Sequence, residues 1–181
     1  AKLRLDDGYL PDDVNGIAIT GFNESWWLGL SAMHLLFARE HNAVCDALKA
    51  EYPLWTEDHI YNVARLVVSA LIAKIHTVEW TPAIIAHPTT RFALRANWWG
   101  LEMERLSRLV GRLSPSEVLS GIPGSPTDHH GVPYSLTEEF VCVYRMHPLI
   151  PDEFSFRRLG DDALLHERTL PEIGALHVRE R

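Results

Sequence analysis

Cysteine is scarce. Cys45 and Cys142 are the only two among 181 residues; they lie far apart and form neither a CxxC pair nor a disulfide framework, so nothing marks an oxidising compartment. Two buried free thiols are the expectation. Long apolar runs are missing as well. The longest nearly apolar stretch, Leu66 to Ala73, is far below the ~18 residues that suggest a membrane span, and the N-terminus has no basic-then-apolar signal pattern. The chain reads as soluble, with a cytoplasmic setting expected and no membrane association indicated. Basic residues are in deficit, 17 against 24 acidic for a formal charge of −7, so no general pull toward nucleic acid or anionic lipid is expected. Internal repeats and low-complexity runs are absent. No GxSxG or GxGxxG occurs, and Gly121-Ile122-Pro123-Gly124 has no following Lys-Ser/Thr, so it is not a phosphate loop. His166-Glu167-Arg168-Thr169-Leu170 ends in Leu where a zincin helix needs its second imidazole. What is present is an ordinary globular balance, 46% apolar and 23% charged, at a length that suits one domain or two small ones.

The first two dozen residues are turn-rich, with Asp6-Asp7-Gly8, Pro11-Asp12-Asp13 and Asn15-Gly16 around the β-like Ile17-Ala18-Ile19-Thr20. They predict an irregular arm or a small β-hairpin. From Ser25 to about Ala50 no proline intervenes, and Leu30, Met33, Phe37, Val44 and Leu48 recur at helical spacing. Thr56 is a candidate N-cap, followed by Glu57 and Asp58 where the helix dipole favours acid. The helix it opens is predicted to run to about Trp80, apolar on every face in its middle and therefore central, with Pro82 marking its end. A third helical segment is expected within Arg91 to Val110, interrupted near Trp98-Trp99-Gly100. Ser114 to Pro133, rich in Gly and Pro, reads as a long loop. Thr137 caps a short helix ending near Met146, and the tail from Pro151 has weak periodicity. The fold class is mainly α. His129-His130 has no third ligand at a telling spacing and reads as solvated or capping histidines.

The most informative stretch is Tyr144-Arg145-Met146-His147-Pro148-Leu149-Ile150-Pro151. On a helix Phe140, Val143, Tyr144 and His147 share a stripe, with phenol and imidazole one turn apart. An imidazole against an apolar wall can ligate haem iron, and a tyrosine beside that iron can be oxidised to a radical. Plain core packing answers the same pattern, and geometry alone leaves both open.

This stretch resembles the tyrosine and proximal-histidine segment of the cyclooxygenase and fatty-acid α-dioxygenase branch of the animal-type haem peroxidase superfamily. Leu36-Phe37-Ala38-Arg39-Glu40-His41-Asn42-Ala43-Val44-Cys45-Asp46 resembles that superfamily's arginine-glutamate-histidine-asparagine helix, and Tyr61-Asn62-Val63-Ala64-Arg65-Leu66-Val67 the helix after it. Ala73-Lys74-Ile75-His76-Thr77-Val78-Glu79-Trp80-Thr81 is closer still to the α-dioxygenases. The blocks keep their order across residues 21–152. The resemblance implies a helical haem-peroxidase-like domain in which His147 is the proximal iron ligand and Tyr144 bears the radical. His76 and Thr81 match positions that hold the substrate carboxylate. A cationic imidazole and a hydroxyl suit that task, although a five-residue spacing does not align them on a regular helix, and a helix C-terminus by itself also favours a positive imidazole at His76. Arg39, Glu40, His41 and Asn42 read as a scaffold network.

Departures from the family shape the remaining expectations. Nothing in Ala1 to Phe22 looks like the distal histidine; Asn23 stands where some mammalian members have the distal arginine. Trp26 falls near the carboxylate that esterifies haem in those enzymes, which implies non-covalent haem b. The family's C-terminal helices, with an arginine that pairs with the carboxylate, would follow Arg181. Residues 1–181 are therefore expected to be the central part of one larger catalytic domain, lacking the distal-haem region and the C-terminal helices. The implied partners are a fatty acid, molecular oxygen and peroxide, with self-association expected of the isolated segment. The implied reaction is α-oxygenation to a 2-hydroperoxy acid. The alternatives are a plain haem peroxidase, a dioxygenase of other regiospecificity, or a non-catalytic helical segment.

Overall fold

The structure, a computed structural model, describes residues 1–20, 27–127, 135–144 and 150–174. The expectations placed on Asn23, Trp26, His129-His130 and His147 lie outside the described residues. The described residues form helices with one two-stranded sheet, the mainly α class expected. They divide into two compact units, Ala1–Ala64 with Leu136–Arg181, and Arg65–Ser135.

In the first unit the N-terminal arm is irregular. It carries isolated bridges, Asp6 with Tyr9 and Asp12 with Ala18, and no strand. Helix α1, Leu28–Glu51, forms where the proline-free stretch predicts it, but its buried positions are Ser31, Ala38, His41 and Cys45. Met33, on the predicted stripe, is half exposed. The reason is the arm, whose backbone needs polar partners and small neighbours. Asn42 accepts from the Leu3 N–H at 2.8 Å and donates to its carbonyl at 2.9 Å. The Arg39 guanidinium donates twice to the Gly8 carbonyl, at 2.8 and 2.6 Å, and lies over the Tyr9 ring. The scaffold role read for Arg39 and Asn42 is thus the fastening of the arm to α1, while Glu40 is exposed. Cys45, Ile60 and Ala64 form the buried cluster, with Val44, Leu48 and Trp55 packed against it. Cys142 is exposed, contrary to the expectation of two buried thiols; it sits on a short helix whose outward face has no cover among the described residues.

Helix α2, Glu57–Ile75, starts as predicted, with the His59 N–H donating to the Thr56 hydroxyl at 3.2 Å. Only Ile60, Ala64 and Val68 of it are buried, whereas Leu66 is 59% exposed and Val67 and Ile72 more than 40%. An apolar middle signals that a helix is destined for burial without identifying what buries it. Later in this unit the tail contains a hairpin that its periodicity did not announce: β1, Glu153–Arg157, pairs antiparallel with β2, Leu164–Thr169, in the register Glu153 to Thr169, with an irregularity at Phe156/Arg157. Gly160 and Asp162 take the positive φ that its connection needs. A short helix follows, α8 in chain order (Leu170–Gly174). The Glu172 carboxylate accepts from the Thr169 N–H at 2.7 Å and its hydroxyl at 2.9 Å, two bonds that lower the Glu172 carboxyl below its ordinary pKa.

In the second unit the helical backbone does not stop at Pro82. After α2 comes a single π-turn, His76–Trp80, and then α3, Thr81–Ile84, with Pro82 in its first turn. Proline lacks an N–H and crowds the carbonyl four residues back; the wider i→i+5 turn just before it absorbs that misfit. Helix α4, Pro88–Trp99, is capped by His87, whose Nδ1 accepts from the Thr89 N–H. It ends at Gly100, and α5, Met103–Val110, follows. The expected loop after Ser114 contains a further turn of helix, α6 (Glu117–Ser120). Arg112 staples this region by donating to the carbonyls of Gly121, Pro123 and Pro115 at 2.7–3.0 Å. The buried Ser120 hydroxyl donates to Glu102 and accepts from the Ser114 N–H. Backbone meets backbone here: a Cβ on Gly121 would lie 2.0 Å from the Trp98 carbonyl oxygen.

Candidate functional site

The first cluster ends α7, Glu138–Tyr144. Thr137 caps this helix as predicted, its hydroxyl accepting from the Phe140 N–H at 3.2 Å. One turn along, Phe140 and Tyr144 stack, with ring centroids 4.9 Å apart and planes within 14°. This is the i,i+4 neighbour relation of a regular helix. Both rings are a little over two-fifths exposed, so the pair presents a flat aromatic face. The stripe predicted through Val143 to His147 is represented among the described residues by this pair, three positions short of His147.

The second cluster is the π-turn, which lies in the other unit. In its i→i+5 pattern the Thr81 N–H donates to the His76 carbonyl. The Thr81 hydroxyl donates to the same oxygen at 2.7 Å. The turn thus places Thr81 directly after His76 on one helical wall, an alignment that the regular helix assumed from the sequence denies to a five-residue spacing. Local sequence favours the distortion. The Thr77 hydroxyl donates to the Ala73 carbonyl at 2.9 Å, a back-bond that loosens helical geometry, and Pro82 follows. His76 is exposed rather than closed into an apolar channel.

Sequence reasoning missed one member of this cluster. The indole of Trp80 stacks on the His76 ring, centroids 5.0 Å apart and planes within 25°. Its signal was available in retrospect, since His76 and Trp80 stand four residues apart and adjoin Thr81. Beyond Pro82 an open cleft of about 820 Å³ is lined by Pro82, His87, Arg91, Phe92 and Arg95 among others; neither His76 nor Thr81 lines it. Arg95 is engaged by Glu104 at 3.0 Å.

Other candidate chemistry is structural. His41 is buried, its Nδ1 3.4 Å from the Asn42 side-chain oxygen and 3.7 Å from the Cys45 sulfur; burial pushes the Cys45 thiol up from its ordinary pKa. Among the described residues there is no group of three or more His, Cys, Asp and Glu side chains that could hold a metal ion, and no helix is long and apolar enough to cross a membrane.

Comparison with known proteins agrees with the sequence blocks. The animal haem peroxidase family model matches residues 9–174. The chain is similar to alpha-dioxygenase PIOX of Nicotiana tabacum, 48% identical over 160 residues that make up 87% of this chain and 25% of that protein. It is also similar in structure to the fatty acid alpha-dioxygenase of Oryza sativa, with a TM-score of 0.83 and 40% identity over 95% of this chain and 30% of that one. A tyrosine-to-phenylalanine variant of the rice enzyme, crystallised with palmitic acid, matches equally well. The chain spans between a quarter and a third of the length of these relatives. With a family model covering nearly its whole length, this chain belongs to the animal haem peroxidase family.

Proposed function

We propose that the protein to which this chain contributes is a haem-dependent fatty-acid α-dioxygenase, with Tyr144 as the hydrogen-abstracting residue, His147 as the proximal iron ligand, and His76 with Thr81 as the carboxylate site. The observation that supports the reading is the π-turn, because its i→i+5 step brings the Thr81 hydroxyl to the His76 backbone carbonyl, a closeness that a regular helix denies to a five-residue pair. A plain peroxidase has no need of such a pair. The relatives' names and the palmitic acid complex of the rice enzyme point to the same substrate class.

We infer haem b held without covalent attachment, since Trp26 stands where the resemblance would put the esterifying carboxylate. Axial ligation needs one imidazole rather than a cluster of metal-binding side chains. The exposed, stacked Phe140–Tyr144 pair offers a flat face of the kind a macrocycle lies against. With a peroxide as oxidant, bound haem would supply one-electron oxidising power, and Tyr144 is the residue that would carry the resulting phenoxyl radical, its proton passing to solvent. Tyr144 then takes a hydrogen atom from the carbon next to the carboxylate. Molecular oxygen adds to the resulting carbon radical, and the peroxyl radical recovers a hydrogen atom from the Tyr144 phenol, giving the 2-hydroperoxy acid and restoring the radical. His76 and Thr81 would hold the carboxylate end of the acid, which favours reaction at the carbon next to it over one farther along the chain.

The test is product analysis with the full-length protein, a free fatty acid and ¹⁸O₂. Label at carbon 2 is expected. Label at another carbon would replace the α-assignment with a different regiospecificity, and loss of product without loss of the histidine-haem spectrum in His147→Ala would remove His147 from the iron.

A further inference from the structure

We propose that the open cleft beyond Pro82 is an anion-binding site that takes the carboxylate end of a fatty acid, at a position separate from His76 and Thr81. Its volume of about 820 Å³ suits a small-molecule ligand, and neither His76 nor Thr81 lines it. The cleft's own side chains carry the inference, which therefore stands or falls apart from the role given to His76.

Cations dominate the polar part of the lining. His87, Arg91 and Arg95 follow one another at four-residue steps from the cap of α4, so they share a helical face. Arg95 is tied to Glu104 at 3.0 Å, which offsets part of its charge. Arg91 is exposed and has no acidic partner among the described residues. The Nδ1 of His87 accepts from the Thr89 N–H, so the neutral ring carries its proton on Nε2 and can donate it. The described lining holds no Asp or Glu. The first turn of α4 holds none either, so the positive end of the helix dipole adds to the same field. In a chain of formal charge −7 this is a local reversal of sign, which draws anions out of solution.

The rest of the lining is apolar. Pro82, Ala83 and Ala86 line the cleft together with Phe92, whose ring is 61% exposed. An inorganic anion makes no use of that surface, and a neutral lipid leaves the Arg91 charge unanswered. An acyl chain that ends in a carboxylate meets both demands. Its two oxygens match the fork of a guanidinium, and its first methylenes remove the Phe92 ring from water.

The experiment uses the full-length haem protein under anaerobic conditions, so that binding is read without oxygenation. Equilibrium dialysis with radioactive dodecanoate counts the acid bound per haem, while dodecanol and inorganic phosphate serve as probes that lack the charge or the chain. The variants are Arg91→Gln, Arg91→Glu, Phe92→Ala and His76→Gln, and the Soret band reports that the haem site is intact. The wild type is expected to bind two dodecanoates, one of which depends on Arg91 and the other on His76. In Arg91→Gln the first of these should weaken roughly 3- to 10-fold, less than in a closed ion pair because water reaches the cleft. Arg91→Glu should weaken it further, and added salt should weaken it in the wild type. Phe92→Ala should weaken dodecanoate and leave phosphate unchanged. A single dodecanoate in the wild type, lost in His76→Gln, would refute the second site and leave the His76 reading standing. Wild-type binding of both acids in Arg91→Gln and Arg91→Glu would refute it as well. Dodecanol or phosphate bound at the cleft as tightly as dodecanoate would overturn the assignment to a fatty-acid carboxylate. If His76→Gln changes nothing while Arg91→Glu removes a bound acid, the cleft site stands and the His76 reading fails.

Discussion

Thr81→Val should separate two contributions that the π-turn combines. The Thr81 hydroxyl is already engaged, donating to the His76 carbonyl at 2.7 Å. To serve a carboxylate it must release that bond. A charge-assisted hydrogen bond contributes about 1.5–3 kcal/mol and a neutral one about 0.5–1.5, so the net gain from swapping partners is about 1–1.5 kcal/mol. Valine should therefore lower kcat/KM toward a free fatty acid only roughly 5- to 10-fold. His76→Gln, which removes the cationic partner itself, should lower it roughly 10- to 150-fold. Thr81→Ser, which keeps the hydroxyl, should stay near wild type. The His76 carbonyl retains the Thr81 N–H, so the valine variant leaves no orphaned acceptor and should cost stability only about 1 kcal/mol. The assay compares kcat/KM on a fatty acid, its methyl ester and a small phenol in the full-length protein. A Thr81→Val loss as large as that of His76→Gln would refute the idea of a hydroxyl held in reserve. Equal losses on all three substrates would mean that the turn supports the fold and does not read the carboxylate.

Two further outcomes follow from the packing. Gly121→Ala should be among the most damaging small substitutions, because its φ is +76° and the added Cβ would lie 2.0 Å from the Trp98 carbonyl oxygen, with backbone on both sides. A loss of about 2–5 kcal/mol is expected from the left-handed conformation and the overpacking together, read as a lowered denaturant midpoint; a change under about 0.5 kcal/mol would contradict the interlock. Under native conditions near pH 8 a maleimide should label Cys142 and spare Cys45, which is 2% exposed and whose thiol is pushed up by burial. The thiolate is the reactive form, so a raised pKa compounds the steric protection, and labelling of both sites at equal rates would contradict the placement of Cys45.

Local capping and breaking signals in the sequence largely determine where the helices begin. Thr56 and Thr137 cap the helices they were expected to cap, and α1 fills the proline-free stretch. The four sequence blocks led to the family directly. What the sequence could not disclose depends on partners distant in the chain or on a compromise between local preferences. The buried side of α1 is chosen by the arm, whose carbonyls and N–H groups select Arg39 and Asn42, and no periodicity within α1 contains that information. The exposed apolar side of α2 shows the same limit from the other direction. A proline usually stops a helix, yet at Pro82 a π-turn lets the helical backbone pass. That same turn brings the Thr81 hydroxyl to the His76 carbonyl. The β1–β2 hairpin was hidden because β1 alternates, Phe154 and Phe156 against polar neighbours, while Leu164-Leu165-His166 does not. Of the candidate site, His76 and Thr81 stood out through the resemblance, whereas the π-turn that brings Thr81 to the His76 carbonyl was not legible.

The most direct test of the central claim is Tyr144→Phe in the full-length protein, assayed for oxygen uptake with a free fatty acid and examined by electron paramagnetic resonance after mixing with peroxide. Phenylalanine preserves the ring that stacks on Phe140, so fold and haem spectrum should persist while the tyrosyl signal and 2-hydroperoxy acid formation are both lost. Oxygenation at the wild-type rate by that variant would contradict the account.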